Sequence, residues 1–227
     1  MYGAYADRLC NIHVVSYCDL LTIKLNISMI TSISKELNRI EIPFFNGEVS
    51  MLPFDLSDLT TLPIEFRETA KEMVKSLPNK VGEVFLTVHG KFVKKSKTLR
   101  RGAPHIDGNY LKQVSSWGSG GGNGWKVGEN GMKLTSKEHA LSYENQKGGM
   151  LIASNYSACK GWNGVFDNKA GIGGDCSHLK LDEGFMLEAN KVYYGNSQFV
   201  HESLPVDKDV HRIMYRITLP INHEWKL

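Results

Sequence analysis

The sequence predicts a mainly β domain in which a helix packs on an antiparallel core of the sandwich or barrel kind. Three observations lead there. The clearest helical signal is a single stretch, about 63 to 77, where Phe66, Ala70, Met73, Val74 and Leu77 form one apolar stripe. The rest of the chain is mostly short runs of β-branched and aromatic residues, separated by turn residues. The chain has 227 residues, of which 41% are hydrophobic, enough for a real core within one domain.

The elements follow in chain order. Residues 1–28 carry Cys10 and Cys18 and few charges, and they read as an N-terminal extension; residues 29–227 read as a single domain. IHVVSY and LLTIKLNI within the extension are strand-like. A secretory signal is not expected, because the start MYGAYADRLC has one Arg and Asp19 breaks the apolar run. IEIPFFNGEVSMLPF (40–54) holds short apolar runs around Asn46-Gly47, a hairpin signal. Asp58, Thr60 and Thr61 offer caps to the helix, Pro63 suits its first turn, and Pro78 stops it.

EVFLTVHGKFV (83–93) then changes to strand character. SSWGSGGGNGWKVGENG (115–131), with its glycine-rich centre at 118–124, predicts a mobile loop or lid. Further strands are expected at GMLIAS (149–154), GWNGVF (161–166), HLKL (178–181), FMLEA (185–189), KVYYGNSQFVHES (191–203) and HRIMYRITLP (211–220). Gly195-Asn196 reads as a turn or bulge inside the fifth of these.

Composition excludes several classes. No window reaches 18 consecutive apolar residues, so no membrane-spanning helix is expected. Four Cys are too few for a disulfide scaffold, and free thiols in a cytoplasmic protein are the default. The Asn-x-Ser sequons at Asn26 and Asn155 then read as chance. A net charge of +3 does not by itself mark a nucleic-acid binder.

The chemistry concentrates in His105-Ile106-Asp107 and, 94 residues after Asp107, His201. His and Asp two apart on an extended backbone project to the same side. A second His from another strand completes a two-His-one-carboxylate facial triad, a set that suits Fe(II) and leaves three positions open. Eleven residues after His201 comes Arg212, on a strand where Arg212, Met214 and Arg216 share one face and Ile213, Tyr215 and Ile217 the other. Two Arg on an otherwise apolar strand are costly to bury unless they meet anions, and a guanidinium grips a carboxylate with two parallel bonds.

The pattern His105-x-Asp107, His201 and Arg212, ending in HESLPVDKDVHRIMYRITLP, resembles the Fe(II)/2-oxoglutarate-dependent dioxygenase superfamily over roughly residues 83–220. The resemblance implies a double-stranded β-helix (jelly-roll) core with flanking helices. It implies Fe(II) on His105, Asp107 and His201, and 2-oxoglutarate and O2 as co-substrates. Arg212 would hold the far carboxylate of 2-oxoglutarate. Arg216 resembles a second Arg that faces substrate in the taurine dioxygenase-like branch. The presence of Arg212 rather than Lys disfavours the collagen-type prolyl hydroxylases. The presence of Asp107 disfavours the halogenating members. Hydroxylation or oxidative demethylation is the implied reaction, with succinate and CO2 released.

Other candidates have competing readings. Cys159, Cys176 and His178 are zinc-type residues without the close paired spacing of a finger. His89 reads as a core or edge residue, and His211 as solvent-facing. Tyr193 or Tyr194 could line the site; Trp117 and Trp125 flank the glycine-rich loop. Lys91, Lys94, Lys95, Lys97, Arg100 and Arg101 put six basic residues in eleven positions. They read as a solvated edge, or as a rim that recruits an anionic substrate such as a nucleic acid. The expected substrate is a small or flexible molecule. Two alternative functions are a cupin-like metalloenzyme that does not use 2-oxoglutarate and a non-catalytic β-sandwich binding module.

Overall fold

The computed structural model describes residues 29–78, 80, 82–107, 148–168, 170 and 174–219. The extension 1–28, the glycine-rich loop with Trp117 and Trp125, and the C-terminal residues from 220 lie outside them.

Eleven strands and one α-helix are described. In chain order they are β1 (Met29–Ser32), β2 (Ser34–Arg39), β3 (Gly47–Asp55), α1 (Ile64–Met73), β4 (Glu83–Val93), β5 (Gly149–Ser154), β6 (Cys159–Trp162), β7 (Gly164–Asp167), β8 (Phe185–Met186), β9 (Lys191–Gly195), β10 (Val200–Ser203) and β11 (Val210–Leu219). Six of them form one antiparallel sheet in the order β2-β9-β5-β11-β4-β3. β10, β6 and β8 form a second sheet, also antiparallel, and β1 pairs with β7. The architecture is therefore mainly β and antiparallel.

Two cores flank the large sheet. On one face α1 lays Phe66, Ala70 and Met73 against Leu86 and Val88 of β4, Leu151 of β5 and Ile213, Tyr215 and Ile217 of β11. On the other face Val93, Ile152, Tyr193 and Met214 meet Cys159 and Phe199 from the small-sheet side. The two sheets thus face each other across the second core. A strand that is central and covered on both sides needs apolar residues at successive positions, as β5 (GMLIAS, buried throughout) shows.

Three local expectations change. Asn46-Gly47 does not turn a hairpin: β2 and β3 lie at opposite edges of the six-stranded sheet, and residues 40–46 form the crossing between them. The pattern signalled a reversal, but β3 pairs with β4 across Gly47↔Gly90, far from β2. HLKL (178–181) is irregular, with Leu179 buried in a third cluster beside Trp162 and Cys176, so its alternation reflects anchoring of a turn. Asp58 caps a single 3₁₀ turn at Leu59–Thr61, where its side chain accepts from the Thr60 N–H; α1 itself starts at Pro63 without a side-chain cap. Gly195-Asn196 does break the long run into β9 and β10, and the Asn196 side chain ties the turn to Thr31 and Ile33.

Candidate metal centre

β10 carries His201 into the space between the sheets. His105 reaches the same place by a reciprocal backbone pair: its N–H donates to the His201 carbonyl and the His201 N–H donates back, both at 2.9 Å. Directly opposed residues in such a pair present neighbouring side chains, and the two imidazole centres lie 4.6 Å apart. Ile106, fully buried, points to the opposite side into the third cluster, so His105 and Asp107 share one side of the chain as the spacing predicts. One ligand atom each from His105, Asp107 and His201 lies within 4.8 Å of the others, and all three residues sit out of solvent.

The histidine protonation pattern suits a metal. His105 Nδ1 lies 2.8 Å from the Ala103 carbonyl and His201 Nδ1 lies 3.1 Å from the Phe199 carbonyl. A carbonyl only accepts, so each Nδ1 carries the hydrogen and each Nε2 presents its lone pair. Burial pushes His105 down to about 3, helped by the neighbouring His201; burial shifts His201 in the same direction. Both rings are therefore neutral, the form a cation needs. Burial raises the Asp107 carboxyl, but Arg216, His201 and His105 outweigh it and hold the group well below the usual carboxylate range. Asp107 Oδ1 is buried with no hydrogen-bond partner among the described residues. Two lone pairs and an orphaned carboxylate oxygen converging on one point fit a divalent cation.

Phe199 braces this arrangement. Its ring stacks on His201 at 5.4 Å and 14°, while its carbonyl fixes the His201 tautomer. Gly161, opposite His201 in the β10–β6 register, makes room: a Cβ there would stand 2.5 Å from Phe199 Cζ.

One cleft of about 580 Å³, counted out to its open mouth, joins the triad to Arg212. Arg212 is 2% exposed. Its Nη1 donates to Ser203 Oγ at 3.0 Å and its Nε to Ser154 Oγ at 3.5 Å. Both partners are neutral. The adjacent Cys159 thiol is pushed up to about 12 by burial, so it supplies no counter-charge. Among the described residues no carboxylate pairs with Arg212, and a buried guanidinium left in this state calls for an anion.

Arg216 lines the same cleft but is engaged differently. Its Nη1 donates to Asp107 Oδ2, while its Nε is buried without a partner among the described residues. The structure thus brings together all five residues that the sequence singled out, with Arg216 on the triad carboxylate. It does not bring together Cys159, Cys176 and His178: Cys159 faces the cleft, and Cys176 sits in the third cluster. His211 is not solvent-facing; it is half-buried beneath Phe44, with ring centres 4.5 Å apart. Neither Tyr193 nor Tyr194 is among the cleft residues. His89 accepts from Arg100 Nη1 at 2.7 Å, and burial followed by Arg100 lowers it to about 3. Lys91, Lys94, Lys95 and Lys97 are exposed, whereas Arg100 and Arg101 line the cleft.

Sequence reasoning missed Ser203, Ser154, Phe199 and the two anchoring carbonyls. Ser203 was within reach, since it lies two residues after His201 and so shares its side of β10. Ser154 requires knowing that β5 lies beside β11.

No helix among the described residues is long and apolar enough to cross a membrane. No family model matches the chain, and neither a curated protein nor a solved structure shows significant similarity to it.

Proposed function

We propose that the chain is an Fe(II)- and 2-oxoglutarate-dependent oxygenase with a double-stranded β-helix core. One observation carries the reading: a triad able to hold a cation and a buried guanidinium lacking a counter-ion open into one cleft. A metal site alone fits many chemistries. A metal site facing an unsatisfied Arg across a small cavity fits a ligand with an anionic far end and a chelating near end. 2-Oxoglutarate has that form. The two facing antiparallel sheets, with the site between them, support the jelly-roll reading.

His105, Asp107 and His201 would hold the iron, and the Nδ1 bonds would keep both imidazoles aimed. Arg212 would take the distal carboxylate with the Ser203 and Ser154 hydroxyls beside it, which fixes the orientation of the 2-oxo acid. Ile152, Leu187 and Met214 supply apolar wall that limits water. When bound, iron and 2-oxoglutarate supply the chemistry: O2 is reduced as 2-oxoglutarate becomes succinate and CO2, and one oxygen atom enters a substrate C–H bond. The substrate is read as small or flexible, and Arg100 and Arg101 on the cleft favour an anionic one.

The test is an anaerobic titration with Fe(II), then 2-oxoglutarate, followed by the visible charge-transfer band of the chelate. The band is expected in the wild type, absent in His105→Ala, and shifted to much higher 2-oxoglutarate concentration in Arg212→Ala. Iron binding without a band would overturn the 2-oxoglutarate assignment in favour of a cupin-like metalloenzyme. A folded protein that binds no stoichiometric iron would leave the β-sandwich binding module.

A further inference from the structure

We propose that Arg216 is the counter-charge of the metal-free centre: its guanidinium holds Asp107 in ligand position when no cation is bound, and it opposes the cation that replaces it. The inference rests on reading His105, Asp107 and His201 as a metal site. It goes beyond that reading by giving Arg216 a role toward the metal rather than toward substrate.

The oxygen that Arg216 Nη1 contacts is Asp107 Oδ2, and that same oxygen lies 3.8 Å from His201 Nε2. The guanidinium and a cation would therefore compete for one side of one carboxylate. Both side chains are nearly enclosed, 8% exposed for Arg216 and 11% for Asp107, so neither charge is shielded by bulk water. Arg216 sits in β11 between β4 and β5, opposite Thr87 and Ile152, so its backbone is held by pairing on both sides. Asp107 and Arg216 form an ion pair at the centre. A divalent cation adds two positive charges beside a fixed one. The unpartnered Nε of Arg216 and Oδ1 of Asp107 fit this account, because a pair built only for stability would satisfy both.

The experiment compares Mn(II) binding, by titration calorimetry, with thermal unfolding in the presence and absence of Mn(II). The proteins are the wild type, Arg216→Gln, Arg216→Lys, His105→Ala and the double variant Asp107→Asn/Arg216→Gln. Metal-free Arg216→Gln should melt below the wild type, and saturating Mn(II) should close the gap. Its Mn(II) affinity should rise about tenfold or more, because a neighbouring positive charge is gone. Arg216→Lys should bind as the wild type does. The double variant should recover metal-free stability, since both buried charges are removed together.

Equal or weaker Mn(II) binding by Arg216→Gln, in a protein whose wild type binds and whose His105→Ala does not, would overturn the inference and leave the metal site standing. A wild type that binds no Mn(II) would remove the metal site and the inference with it. If Arg216→Gln fails to fold without metal, the double variant decides. Recovery supports the counter-charge role, and failure shows that Arg216 is needed for packing alone.

Discussion

The two faces of β11 are an internal experiment. Arg212 and Ile213 are adjacent and equally inaccessible, 2% exposed each. Ile213, Tyr215 and Ile217 face α1 within its apolar core, where the Tyr215 hydroxyl also meets the Thr69 side chain. Arg212, Met214 and Arg216 face the cleft, where the two guanidinium groups meet serine hydroxyls and the triad carboxylate. Burial is the same; only the chemistry differs. The apolar face explains itself through the surface it removes from water. The charged face has no such return, because a buried guanidinium is a net cost until an anion reaches it. The contrast separates residues whose burial the fold explains from residues whose burial the proposed ligand would explain.

Substitutions should divide along the same line. Tyr215→Ala, on the apolar face, should cost about 3–5 kcal/mol of stability, read by denaturant unfolding, because it opens a cavity under Phe66. Arg212→Met should leave stability unchanged or raised and, on the proposed function, weaken 2-oxoglutarate binding about 100-fold, by calorimetry on the metal-loaded protein. A large loss of stability in Arg212→Met would break the comparison.

Gly161→Ala tests the brace behind His201. Displacing the Phe199 ring should cost about 1–3 kcal/mol and weaken metal binding, both readable from melting with and without Mn(II).

The smallest effect concerns acid. His89 is lowered from 6.5 to about 3, by burial and then by Arg100. The unfolded chain takes up this proton where the folded one does not. His89 therefore contributes a loss of stability as pH falls from about 6.5 towards 3, and none above that window. His89→Asn should reduce the fall of the urea midpoint over that interval, with the share due to His105 and His201 remaining.

Much of this was legible in the sequence. The period-two pattern of β11 and the period change between α1 and β4 reflect burial on one side at a time, and strand spacing alone put His105 beside Asp107. The pairing of strands was not legible. Asn46-Gly47 carries a local turn preference, but whether β2 and β3 meet depends on which edges of the sheet they occupy. Nor could the sequence show what Arg216 touches. Its partner is 109 residues away, and its side chain can reach either the carboxylate or an incoming ligand. The anchors at Ala103 and Phe199 are backbone oxygens, which leave no trace in residue identity.

The reciprocal bonds between His105 and His201 have a further consequence for the chain as a polymer. The two residues are 96 positions apart, so their pairing closes one of the long loops of the fold. Bringing such ends together is an entropic loss that local contacts cannot share, and it slows folding. A cation gripped by both imidazoles would act as a removable cross-link across that loop. Chain-entropy arguments value a covalent closure of about 100 residues at ~5 kcal/mol. Chelation would then do more than silence the centre. It would remove that cross-link, leave only the backbone bonds to hold the loop closed, and shorten the lifetime of the folded state.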